Sequence, residues 1–142
     1  MKTFIKFTAV LTVIATMCVF FSACGDSGLE KNLWETATYT EDTELGTGSK
    51  TVKLEVKAEE KSVTFTIKTD KEILGEALVD NKIISGEKGA YGLYVKVVNG
   101  ITADYDKDQS YWAITKNGES VMTGVDGIQI LDGEHYELVY TR

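Results

Sequence analysis

The chain has 142 residues, 15 basic against 22 acidic side chains, a single histidine, two cysteines and no proline. That length makes one ordinary domain, and the acidic balance excludes a nucleic-acid role, which needs a cationic face to displace counterions from phosphates. Two cysteines exclude a disulfide-dense scaffold.

Residues 1–23 read as a processing signal. Met1, Lys2 and Lys6 form a basic start, and residues 7–21 are an apolar run with Val10, Leu11, Val13, Ile14, Val19 and Phe20. This suits a signal segment and is short of the about 20 apolar residues that span a bilayer. Small residues then lead to a cysteine, Phe21-Ser22-Ala23-Cys24, followed by the polar Gly25-Asp26-Ser27-Gly28. The pattern resembles a bacterial lipobox, with Cys24 as the lipidated first residue of the mature chain. Two or more acyl chains anchor stably to a membrane. The expected location is therefore extracytoplasmic, lipid-anchored to the bacterial cell membrane and exposed on the cell surface. The mature chain then has 13 basic against 22 acidic residues, a net of −9, with Cys18 removed and Cys24 used by lipid.

Residues 24–32 read as a tether, and the folded domain is expected over 33–142. Residues 33–50 are rich in threonine and acids but carry Trp34 and Tyr39, so this arm is expected to lie partly on the domain. Residues 51–57 alternate Val52, Leu54 and Val56 with polar positions, and residues 62–68 alternate Val63, Phe65 and Ile67. These predict a hairpin through Glu59-Glu60-Lys61. Thr69-x-x-Glu72 reads as a capping box for a helix with Ile73, Leu74, Ala77 and Leu78 on one face. Gly75 inside that helix costs about 1 kcal/mol against alanine, so packing must hold it.

A glycine-containing loop follows, then a strand in which Leu93, Val95 and Val97 alternate with Tyr94, Lys96 and Val98, ending at the turn Asn99-Gly100. Tyr111-Trp112 opens the next run. Asn117-Gly118 suits a type I′ turn that pairs Lys116 with Glu119, Ile114 with Val121 and Trp112 with Thr123. A final strand, residues 135–142, carries Tyr136, Leu138 and Tyr140. Hairpin, helix, strand, hairpin and strand outline an α+β fold: a β-grasp-like mixed sheet with one helix packed across it.

The residues give no catalytic constellation, and the expectation is a protein that is not an enzyme. The lone His135 sits at a strand start, and no Gly-x-Ser-x-Gly elbow is present. Asp104-x-Asp106-x-Asp108 resembles the start of a calcium loop, but the sixth and twelfth positions are Gln109 and Thr115 instead of glycine and glutamate, so residues 104–109 read as a solvated loop. No metal site and no required cofactor are expected. Aromatics crowd the second half, and rigid aromatics with polar handles supply contact area at low entropy cost.

The runs "LWETATYTEDTELGTGSKTVKLEV", "GLYVKVVNGITADYDKDQSYWAITKNGE" and "TGVDGIQILDGEHYELVY" resemble the DUF4430 family, whose domain is similar to the C-terminal β-domain of transcobalamin and intrinsic factor. The resemblance covers about residues 33–141, and its most specific pieces are "VNGI", "YW", "NGE" and "DGEHYELVY". It implies a ligand-binding β-grasp on bacterial lipoproteins, with a cobalamin-like or other cofactor-like molecule as ligand and a membrane transporter as partner. In the vitamin carriers the related domain closes over cobalamin together with a helical partner domain, which this sequence lacks. The expected contact surface is Tyr105, Tyr111 and Trp112, with Asn117 shaping the hairpin tip. The rival expectation is a surface protein-interaction or structural module that pairs with a partner protein through its sheet edge.

Overall fold

The computed structural model describes residues 32–142; the predicted signal segment, the lipidation site Cys24 and the tether through residue 31 lie outside them. Among the described residues no helix is long and apolar enough to cross a membrane.

The alternating runs form the expected strands. Strands β2 (Lys50–Ala58) and β3 (Lys61–Thr69) make an antiparallel hairpin with Val52 opposite Ile67, Leu54 opposite Phe65 and Val56 opposite Val63. Period-two alternation puts all six on one face, and all are buried. The arm lies on the domain. A 3₁₀ turn at Leu33–Thr36 buries Leu33 and Trp34, the Trp34 indole N–H donates to the Ala58 carbonyl at 2.9 Å, and Tyr39 meets Phe65 edge-on. Residues Thr43–Gly46 then form β1, parallel to β3.

The last strand, β9 (His135–Thr141), is central. It runs parallel to β2, with Leu54 opposite Tyr136 and Val56 opposite Leu138, and antiparallel to β7 (Tyr111–Lys116). The sheet order is β1-β3-β2-β9-β7-β8, where β8 is the two-residue Glu119–Ser120. The two hairpin strands, the parallel central pair and β7 reproduce the β-grasp arrangement. Helix α1 (Leu74–Asp80) buries Leu74, Ala77 and Leu78 in the core shared with the sheet.

Four local expectations change. Helix α1 begins at Leu74, and its N-cap Ile73 makes no side-chain capping bond. Thr69 is instead the last residue of β3, with its hydroxyl accepting from the Lys71 amide, and Glu72 pairs with Lys50 at 2.6 Å. The loop before residue 92 is a strand, β4 (Ile84–Gly89), which joins β5 (Gly92–Val98) and β6 (Ile101–Thr102) in a separate three-stranded sheet. Residues 104–109, read as a solvated loop, hold the single-turn helix α2 (Tyr105–Asp108). At the Asn117-Gly118 turn both residues have positive φ, 51° and 82°, as the type I′ reading requires. Lys116 does face Glu119, and the Val121 amide bonds the Ile114 carbonyl. The expected pairing of Trp112 with Thr123 does not form, because β8 ends at Ser120 and the chain leaves the sheet for a 3₁₀ turn at Val125–Gly127; on its other edge Trp112 faces Tyr140 of β9.

That departure depends on Gly75. A β-carbon there would lie 2.3 Å from Asp126 Oδ1 and 3.1 Å from Val125 Cγ2, so the glycine lets the 3₁₀ turn pack against α1. The Asp126 carboxylate in turn accepts the Leu93 amide at 2.9 Å, which ties the turn to β5.

Candidate functional site

Strands β5 and β7 and the segment that leaves β8 enclose a groove of about 470 Å³. Its walls include Leu93, Tyr94, Tyr111, Trp112, Val121 and Met122. The size lies within the range of small-molecule sites. Met122 is 94% exposed, and Tyr94 and Tyr111 stand partly free at 47% and 40%. Trp112 is 7% exposed, held edge-on against Tyr140 with ring centroids 5.5 Å apart. Its indole N–H is buried with no hydrogen-bond partner among the described residues. A buried donor left unpaired costs about 1–3 kcal/mol.

Of the four residues expected at a contact surface, the groove brings together Tyr111 and Trp112. Tyr105 is exposed on α2 and Asn117 stands at the hairpin tip; neither lines the groove. The wall formed by residues 120–125 was hidden because the sequence pattern there continues a hairpin. The departure of the chain from the sheet after Ser120 frees it.

The hairpin base is fixed by Glu134. Its carboxylate accepts from the Lys116 ammonium, the Tyr136 hydroxyl and the Leu131 amide. Burial alone would raise the Glu134 pKa, but these donors hold it below its usual value. Burial and the adjacent Glu134 push the Tyr136 hydroxyl well up. Lys116 thus forms its ion pair with Glu134 across to the start of β9 and makes none with Glu119, its neighbour in register.

A second constellation lies on the face of the sheet turned away from the core. Glu55, His135 and Glu137 each offer a ligand atom, all within 4.8 Å of one another. Lys57 Nζ sits 3.1 Å from Glu137 Oε2 and 3.5 Å from Glu55 Oε2. Its hydrogen bond to Glu137 raises the Lys57 pKa and lowers that of Glu137. No sequence spacing announces this cluster, because Glu55 and His135 are 80 positions apart and meet only through the parallel pairing of β2 with β9. The aspartates of the calcium-like run serve other ends: Asp104 caps α2 through the Asp106 amide, and Asp108 binds Ser110 and Arg142.

A family model described as "Domain of unknown function (DUF4430)" matches residues 71–141. No curated protein matches the sequence. A solved structure from Ruminococcus gnavus ATCC 29149, described as a candidate metal-binding protein, is similar at 36% identity and a TM-score of 0.63, over 66% of this chain and 98% of its own. Haptocorrin in complex with Cbi is similar at 19% identity and a TM-score of 0.54, over 69% of this chain and 26% of haptocorrin. At that identity the second likeness speaks for the fold alone.

Proposed function

Starting from the DUF4430 family, to which this chain belongs, we propose that it is a non-catalytic ligand-binding β-grasp domain of an extracytoplasmic lipoprotein. Lipid on Cys24 would hold it at the membrane, where it captures a corrinoid or another cofactor-like molecule and passes it to an uptake transporter. The observation that carries the binding role is the groove itself, lined by the partly exposed Tyr94 and Tyr111 and the exposed Met122. Aromatic faces and the Met122 thioether supply contact area for a ligand. At about 470 Å³ the groove takes one edge of a macrocycle and leaves the rest outside.

A metal ion is a second ligand class, favoured by the description of the Ruminococcus gnavus relative and by the acid-histidine cluster. Pairing with a partner protein through the sheet edge draws less support. The edges of the large sheet are the four-residue β1 and the two-residue β8, and strands this short are poor templates for an added strand.

A thermal-shift titration with cobalamin, cobinamide, haem and flavin tests the capture role. A ligand at a hundredfold excess over its Kd stabilises by about 2.7 kcal/mol, which melting detects. The expected result is a shift with one of these, lost in Tyr111→Ala, whose side chain is exposed and whose removal spares the core. A shift that persists unchanged in Tyr111→Ala and Met122→Ala would place the ligand elsewhere. A flat screen would end the cofactor reading.

A further inference from the structure

The outer face of the six-stranded sheet carries a donor set that the groove leaves unused. Strands β2 and β9 run in parallel register, with Lys53 opposite His135 and Glu55 opposite Glu137. Alternation turns Leu54, Tyr136 and Leu138 into the core, and therefore Glu55, His135 and Glu137 to the other side. Both carboxylates and the imidazole come from regular strands, so their backbones are fixed and only side-chain torsions remain to be set. Ligand atoms within 4.8 Å of one another need only small rotations to meet at the 2.0–2.2 Å typical of zinc. His135 Nε2 is buried, makes no hydrogen bond among the described residues and lies 3.7 Å from Glu55 Oε2. The cation now between the two carboxylates is Lys57, whose side chain is 38% exposed and can swing to solvent.

We propose that Glu55, His135 and Glu137 form a binding site for a first-row divalent transition ion of the zinc class, and that Lys57 is a built-in competitor which the entering ion displaces. The proposal rests on the metal reading above and adds to it the ligands, the ion class and the competitor. The donor set decides the class. Imidazole is foreign to the oxygen cages of calcium and magnesium, and the absence of thiolate or thioether donors disfavours monovalent copper. Three protein ligands leave a coordination position open, as in zinc sites that hold an exchangeable water. Lys57 makes the site selective for multiply charged ions, since a monovalent cation gains nothing by replacing an ammonium already in place.

His135 is the only histidine in the chain, so an imidazole-bound ion has one possible source. The test is titration of the purified full chain, free of any affinity tag, with Co²⁺. Ligand-field absorption reports the site, competition with Zn²⁺ gives the affinity, and circular dichroism of the metal-free variants confirms the fold. The expected result is one ion per chain, without the charge-transfer band of a cysteine ligand. Lys57→Met should tighten binding by up to about fivefold, the effect of removing a half-exposed ion-pair competitor. His135→Gln and Glu137→Gln should each weaken it by about a hundredfold, at the upper end of what supporting residues alone contribute. If neither the native chain nor Lys57→Met takes up Co²⁺ or Zn²⁺, the site and the metal reading fall together. If an ion binds but is held equally well by His135→Gln, or shows a thiolate band, the chain binds metal elsewhere and this site alone is refuted.

Discussion

Asn99 offers the sharpest test of how the arm is held. The residue is 1% exposed, and its side chain clamps Tyr39 from both sides, with Oδ1 accepting the Tyr39 amide and Nδ2 donating to the Tyr39 carbonyl, each at 2.8 Å. Its backbone carbonyl accepts the Thr38 amide at 2.9 Å, and its φ is 51°, in the left-handed region. Asn99→Ala removes both side-chain bonds, about 1 kcal/mol each, and places a β-carbon with no compensating polar group in a conformation costing about 1 kcal/mol. The expected loss is about 3 kcal/mol. Asn99→Gly loses the same two bonds but relieves the backbone, for an expected loss of about 2 kcal/mol. Urea unfolding followed by tryptophan fluorescence should therefore rank the native chain above Asn99→Gly and Asn99→Ala last. Equal stability of the two variants would refute the backbone argument. Losses below about 0.5 kcal/mol in both would refute the clamp, since changes of that size are ordinary for surface positions.

Two further predictions concern the helix and the pH dependence. Gly75→Ala should destabilise the domain by about 1–2 kcal/mol despite alanine's better helix propensity, because the added methyl meets Asp126 and Val125; a melting temperature at or above the native one would show that the 3₁₀ turn yields freely. Asp70 has a lowered pKa because the Ser49 amide and then its hydroxyl donate to its carboxylate at 2.8 and 2.9 Å. A depressed folded pKa gives stability that is complete above the unfolded carboxylate pKa and is lost as pH falls through the folded one. Asp70→Asn should accordingly lower the urea midpoint at pH 7 and narrow its gap to the native chain at pH 3, and a gap of constant size would refute the assignment.

Much of the fold was legible because it is written in local alternation. The β2–β3 hairpin, the buried face of α1, the Asn117-Gly118 turn and the last strand all follow from patterns a few residues long. Where two local signals competed, tertiary partners decided. Thr69 and Glu72 spell a capping box, yet the β3 ladder holds one and Lys50 the other. The alternation after Asn117-Gly118 continues on paper as far as Thr123, but Gly75 offers the segment a better place against α1. The groove inherits this ambiguity. Tyr111 and Trp112 were visible as aromatics, whereas Met122 became a wall residue only through the diverted chain. The Glu55, His135 and Glu137 cluster has no local signature at all, being a product of register between strands far apart in sequence.

The central place of β9 bears on how the chain reaches this state. A polypeptide made or exported from its N-terminus presents β2 and β7 before the strand that joins them, so both wait with one side unpaired until the last eight residues arrive. Pairing β2 with β9 closes a loop of some 80 residues, the kind of distant contact that slows folding and prolongs the exposure of unmatched strands. The alternating charges of Lys53, Glu55 and Lys57 along β2 suit that interval, since charged side chains on an open edge discourage pairing with another chain. The face that ends up holding the acid-histidine cluster would thus have guarded the strand while it was alone.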